Sequence, residues 1–278
     1  MLTKEQVEDG ITKATGVTNS LRNAYYPSSN NPPTCIYVGS WGKSTQVRLS
    51  DDVDIMFELP ASDFHRFSQR TGNVQSTLLQ EVKDQLISTY PNSEMRGDGQ
   101  VVQIRFNTIA VEVIPVFRLT NGQFYMPDTN EGGRWKVVDP FAEIHGINTL
   151  DQVSNGNVRA LSKMMKHWKR EMSVPLKSFQ IELLVQEFMT KYPYRNFDFF
   201  WYDWFVRDFF EFLLSKVNQT IVVPGTNEII YLGLQWYSRA VSARDNALKA
   251  CSYEYYDYDI TAGQEWQKIF GNRIPVRV

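Results

Sequence analysis

YVGSWGKSTQVRLSDDVDIMF, residues 37–57, decides how the chain is read. A Gly39-Ser40 turn is followed, after eleven residues, by Asp52 and Asp54, one residue apart in an otherwise apolar run. Side chains two apart on a strand share a face, so Asp52 and Asp54 point one way, Val53 and Ile55 the other, and Asp51 points away from the pair. Two carboxylates on one face repel, and burying them is costly unless something neutralises them. A divalent cation does so.

A third carboxylate fits the same picture. Glu112 lies in AVEVIPVF, residues 110–117, flanked by valines in a run that reads as a core strand. Three such acids imply one metal cluster, and hard oxygen ligands on strands suit magnesium, which keeps several waters and takes its remaining ligands from substrate phosphates. Gly39 lets the backbone approach a phosphate closely, and Ser40 offers a hydroxyl and an amide as donors. The plainer alternative for the aspartates is a solvated edge strand, which the flanking Val53, Ile55 and Phe57 oppose. Glu112 alone would be weaker evidence than the set.

Composition bounds the remainder. The chain has 278 residues, 42% hydrophobic, 14% aromatic and 22% charged, the make-up of a folded protein large enough for two lobes. Its 29 Lys and Arg against 31 Asp and Glu give a net charge of −2, so no basic excess is available to grip a long phosphate backbone. Cys35 and Cys251 form no zinc or disulfide pattern, and the charged N-terminus lacks the apolar core of a signal peptide. A reducing cytoplasm is expected. The stretch at 197–214 is apolar enough to invite a membrane reading, but Asp198, Asp203, Arg207, Asp208 and Glu211 exclude a simple span. Its clustered aromatics read as packing before they read as a stacking surface.

Along the chain, Thr3 and Gln6 form a capping-box pattern, and Val7, Ile11, Ala14 and Leu21 predict a helix over 4–23. CIYVGS reads as a short strand ending in the Gly-Ser turn, KSTQ as the start of a helical turn, and DVDIMFEL as a strand. Val74, Leu78, Val82 and Leu86 predict a helix ending near Pro91, and VVQIRFN and IAVEVIPVF read as strands joined at Asn107-Thr108. NGQFYMPDTNEGGRWKVVDP, rich in Gly, Asn and Pro, reads as a loop at the boundary. From about 157, Val158, Leu161, Met165, Trp168 and Met172 step by three and four, and the second half reads as mainly helical.

The GS turn, the D-x-D pair and the later carboxylate in VEV resemble the nucleotidyltransferase fold shared with DNA polymerase β. The second half is similar to the cyclic GMP-AMP synthase and oligoadenylate synthase branch, and within it to the bacterial cGAS/DncV-like nucleotidyltransferases of anti-phage signalling. VRALSKMMKHW, KSFQIELLVQEF, NEGGRWKVVDP and WQKIFGNRIP carry this closer resemblance.

The resemblance implies an α+β architecture: a polymerase β-like lobe with a mixed sheet flanked by helices over 1–150, and a helical lobe over 151–278 closing the nucleotide cleft. It implies that Asp52 and Asp54 bind two magnesium ions, with manganese a substitute, that Glu112 binds one of them and helps activate the acceptor hydroxyl, and that Gly39 and Ser40 hold the donor. Lys166 and Ser178 would take its terminal phosphates and Phe179 would stack on its base. The residues alone leave other roles open: a solvated basic face for Lys166 with Lys163, Lys169 and Arg170, a helix cap for Ser178, and core packing for Phe179. His145 and His167 receive no catalytic role.

The implied activity is synthesis of a cyclic di- or oligonucleotide from ATP and/or GTP by attack of a ribose hydroxyl on an α-phosphate, with release of pyrophosphate. No activating nucleic acid and no membrane are expected; the expectation is basal activity without DNA or RNA, or control by a regulatory protein partner or a small molecule that the sequence does not identify. Two alternatives share the same residues: transfer of a nucleotide to RNA or a small molecule, and a nucleotide-binding regulator without turnover.

Overall fold

Thr3 opens the first element as its pattern predicts. Gln6 N–H donates to Thr3 Oγ1 at 3.3 Å and Thr3 N–H donates to Gln6 Oε1 at 2.9 Å, a complete capping box at the start of α1, Lys4–Tyr25. The buried stripe of α1 runs through Gly10, Ala14, Val17 and Leu21, and Ile11 turns outward at 46% exposure. Gly10 rather than Ile11 faces inward because Trp41 packs where its side chain would be.

The computed structural model describes residues 2–48 and 52–276, and the orientation expected of Asp51 lies outside them. After α1 come β1, Ile36–Tyr37, α2, Gly39–Lys43, and β2, Asp52–Glu58. The helical turn expected at KSTQ begins four residues earlier, at Gly39, and ends where Ser44 enters the left-handed region at φ 56°. Then follow α3, Ala61–Ser68, α4, Val74–Thr89, β3, Glu94–Asp98, β4, Val101–Arg105, and β5, Ala110–Arg118. The stretch read as a boundary loop is instead a hairpin of β6, Phe124–Asp128, and β7, Arg134–Val138, turned by Gly132 and Gly133 at φ 89° and 95°, before α5, Pro140–Val153.

Among the described residues these strands form one mixed sheet in the order β1-β2-β5-β4-β3, with β6 joining β5 and β7 joining β6. Only β2 and β5 run parallel. Val53, Ile55 and Phe57 are wholly buried on one face of β2, each contributing about 1.5–3 kcal/mol by leaving water. They join Leu78, Val82 and Leu86 of α4 and Ala14, Val17 and Leu21 of α1 in one core. The opposite face is apolar further along the strand, where Met56 packs with Val38, Ile114 and Val116. Asp52 and Asp54 therefore sit at the polar entry end of a strand buried on both faces beyond them.

The chain divides into two compact units, Met1–Ile144 and His145–Val278, and the division falls within α5. The second unit contains α6, Asn157–Glu171, α7, Ser178–Lys191, a 3-10 turn at Phe199–Trp201, α8, Tyr202–Leu214, a small hairpin of β8, Thr220–Val222, and β9, Ile229–Tyr231, then α9, Tyr237–Tyr255, and α10, Asp259–Phe270. The spacing read in α6 is its buried face: Val158, Leu161, Met165 and Trp168 are all wholly buried. They share a core with Phe205, Phe209, Phe210 and Leu213 of α8, so much of the aromatic stretch at 197–214 is packing. Among the described residues no helix is long and apolar enough to cross a membrane.

Candidate active site

Parallel pairing sets Asp54 directly beside Glu112 and Asp52 beside Ala110. Neighbouring strands lie about 4.8 Å apart, so in-register side chains on one face must meet. Asp52 is two residues from Asp54 on that face, and the small Ala110 beside it leaves the space open. The result is a cluster in which Asp52, Asp54 and Glu112 each bring a carboxylate oxygen within 4.8 Å of the others, all three side chains half-buried. Packing of the opposite face fixes the strands, so the repulsion cannot be relieved by rotating them apart.

Repulsion appears in the electrostatics. Burial, and next the charge of Asp52, push the Glu112 carboxyl above its ordinary range, while a hydrogen bond from Gln103 pulls in the other direction. Gln103 lies opposite Glu112 across the β4–β5 pairing and donates from Nε2 to Glu112 Oε1 at 2.6 Å. Arg105 Nε donates in turn to Gln103 Oε1 at 3.1 Å, which fixes which end of the carboxamide faces Glu112. Three half-buried carboxylates from rigid strands form a hard, all-oxygen donor set. This suits a divalent, oxygen-preferring cation.

The Gly-Ser turn is built against this cluster. Gly39 has φ 54°, and a Cβ added there would lie 3.0 Å from Asp54 Cγ and closer still to Oδ2. Only glycine brings the backbone this near to the carboxylate. Val38 N–H donates to Asp54 O at 3.0 Å, and Trp41 Nε1 donates to Asp52 O at 2.9 Å, so the turn is tied to both aspartate positions through the main chain. Ser40, half-buried, follows Gly39 in α2, and its carbonyl accepts from Thr45 N–H at 2.9 Å. Lys43, at the end of α2, is buried and its Nζ lies 3.2 Å from Glu143 Oε2 in the first turn of α5.

The helical unit holds the other expected residues. Lys166 is buried and ion-paired with the equally buried Glu182 across α6 and α7, so the solvated basic face is not its environment. Ser178 is exposed at the first position of α7, and Lys169 Nζ lies 3.5 Å from its Oγ. Lys177 precedes the helix as its cap residue. Phe179 is half-buried and packs on the rim of the helical core.

Sequence reading missed Gln103, Lys43 with Glu143, and Lys169 beside Ser178. For Gln103 a signal existed, a carboxamide among valine and isoleucine in VVQIR. For the others spacing gave none, since each pairing joins separate elements.

With this geometry in view, residues 2–150 match the model of the Second Messenger Oligonucleotide or Dinucleotide Synthetase domain, more than half of the chain. The chain belongs to this family. It is a nucleotidyltransferase with the family's mixed α/β fold.

A probable cyclic nucleotide synthase of Bacillus cereus is 21% identical over 95% of this chain and 93% of its own length. A cyclic AMP-AMP-AMP synthase of an Acinetobacter species is 22% identical over 55% of this chain and 45% of its own length. Among solved structures, Escherichia coli CdnC in complex with HORMA-deltaN superposes with a TM-score of 0.72 at 20% identity, covering 99% of this chain and 94% of that one. Vibrio cholerae DncV gives 0.66 at 11% identity, covering 97% and 87%. At these identities the structural likeness concerns the fold.

Proposed function

We propose that this family member makes a cyclic di- or oligonucleotide second messenger from nucleoside triphosphates, ATP and/or GTP, in anti-phage signalling of the CBASS type. The observation that carries the reading is the convergence of Asp52, Asp54 and Glu112 against the Gly39 backbone. The names of the relatives point to the same product class.

In this reading Asp52 and Asp54 would hold two magnesium ions, which manganese could replace, and Glu112 would hold one of them. Magnesium bound there would lower the pKa of an attacking hydroxyl and neutralise the leaving pyrophosphate. Gly39 and Ser40 position the donor triphosphate by backbone approach and by the serine hydroxyl. A ribose 2′ or 3′ oxygen then forms a bond to the α-phosphorus as the bond to the pyrophosphate oxygen breaks. Glu112, beside this site, would help activate the acceptor hydroxyl and accept its proton as the new bond forms. A second transfer of the same kind closes the ring.

The helical unit would receive the donor's terminal phosphates at Ser178 and Lys166, with Lys169 beside Ser178 sharing the load. The ion pair with Glu182 would orient Lys166 for this role. Phe179 would offer its exposed side to the base. A protein partner regulates the enzyme, in keeping with the solved complex of CdnC with HORMA-deltaN.

The test is pyrophosphate release from nuclease-treated protein supplied with magnesium and the four nucleoside triphosphates, followed by mass spectrometry of the product. A cyclic nucleotide supports the reading. Linear products only, transfer to RNA, or no pyrophosphate would overturn it.

A further inference from the structure

Every residue from Tyr255 to Ile260 is exposed, although Tyr255, Tyr256, Tyr258 and Ile260 stand among them at 81%, 63%, 61% and 52%. This stretch ends α9 and opens α10, and the core of the helical unit uses none of these four side chains. Phe199 and Phe200, in the 3-10 turn before α8, are 74% and 81% exposed. The two stretches flank one point in the fold. Asp203, three residues after Phe200, places a carboxylate oxygen within 4.8 Å of Cys251 Sγ and of a Glu254 oxygen, and Tyr255 follows Glu254. Trp266 Nε1 donates to Glu254 Oε1 at 2.7 Å, which fastens α10 to the same place.

Single exposed apolar residues are ordinary, but six large ones gathered around one corner mark an interaction site. Its charge narrows the occupant. Asp198, Asp257 and Asp259 are exposed among the rings, and the chain has no Lys or Arg at 196–206 or 250–267. Carboxylates and the negative faces of the rings make the surface mainly negative, with Arg207 at its inner edge acting on Asp203 and Cys251. Nucleic acid and an anionic bilayer are repelled. A purely aliphatic partner would bury the carboxylates without pairing them.

A guanidinium or ammonium group satisfies both features, lying on a tyrosine face while its N–H groups reach a carboxylate. The chain uses the same pattern internally, where Arg207 lies 5.0 Å from the Trp204 ring and donates to Asp208 Oδ1 at 2.7 Å. We propose that this aromatic and acidic surface, formed by Phe199, Phe200, Tyr255, Tyr256, Tyr258 and Ile260 with Asp198, Asp257 and Asp259, docks a segment of a protein partner that carries clustered arginine or lysine. The proposal stands independently of the reaction assigned above.

The test uses a fluorescein-labelled nona-arginine peptide bearing a photo-crosslinker, titrated into the full chain and followed by anisotropy at about 0.15 M salt. The expected result is saturable binding, crosslinks within 199–200 and 255–260, and a Kd at least tenfold weaker for a Tyr255→Ala, Tyr256→Ala, Tyr258→Ala variant. Pyrophosphate release should be unchanged in that variant. If it is misfolded by circular dichroism, Asp257→Asn with Asp259→Asn decides by the same tenfold criterion. Binding by the decisive variant within twofold of the original chain, crosslinks elsewhere, or no binding would overturn the proposal. So would self-association in light scattering that these substitutions abolish, since that would give the surface to a second copy of the chain.

Discussion

Replacing Gly39 by alanine isolates the contact between the Gly-Ser turn and the carboxylates. Two costs arise. A residue with a Cβ at φ 54° loses roughly 1–2 kcal/mol relative to glycine, because the left-handed region crowds Cβ against the following carbonyl. The new methyl would also lie 3.0 Å from Asp54 Cγ and nearer to Oδ2, so Asp54 must move by about 1 Å, and a misplacement of that size costs on the order of a hundredfold in rate. Gly72→Ala separates the two costs: Gly72 has φ 82°, but nothing lies within 4 Å of an added Cβ. At about 2–4 °C per kcal/mol, both variants should melt roughly 2–8 °C below the original chain. Only Gly39→Ala should lose activity, by about a hundredfold in pyrophosphate release measured well below either melting temperature. If folded Gly39→Ala keeps more than about a third of the activity of Gly72→Ala, the turn does not set the position of Asp54 for catalysis.

Asp52→Asn or Asp54→Asn should reduce turnover below about a tenth while the circular dichroism spectrum is unchanged, because a lost ligand charge removes several kcal/mol of electrostatic stabilisation; a folded variant above that level refutes the cluster. Gln103→Leu removes a hydrogen bond that lowers the Glu112 pKa, so the carboxyl should rise further and the acid limb of the pH–rate profile should move to higher pH; an unmoved limb would show that Gln103 does not tune it. Lys166→Ala leaves Glu182 buried without its cation and should destabilise the chain by about 3–5 kcal/mol in chemical denaturation, whereas Lys169→Ala should leave stability within about 0.5 kcal/mol and raise the KM for nucleoside triphosphate. An unchanged denaturation midpoint for Lys166→Ala would refute the structural weight given to the pair. Duplex DNA or RNA added at about 0.15 M salt should raise product formation less than tenfold, since Lys and Arg are outnumbered by Asp and Glu; greater stimulation would identify a nucleic-acid activator.

The sequence by itself determined what depends on local periodicity and on the chemistry of a few residue types. The capping box fixed the start of α1, period two put Asp52 and Asp54 on one face, and steps of three and four marked the buried side of α6. A glycine before serine and a pair of acids in an apolar strand need no partner to be recognised as unusual. The order of these features along the chain was sufficient for a resemblance to the family.

Tertiary structure decided what depends on which elements meet. β3 is mostly exposed and β6 carries Pro127 at a register position, so their strand character comes from pairing with β4, β5 and β7 rather than from a local pattern. The turn-rich composition of 121–140 consequently read as a loop. Lys166 belongs to a basic run and gives no sign of burial; α7 covers it and supplies Glu182, sixteen residues away. Gln103 can hold Glu112 only because β4 and β5 align in that register. An alternating pattern states which way a side chain points, but the partner it meets is set by long-range pairing and packing, whose energies lie between elements and leave no period in the sequence.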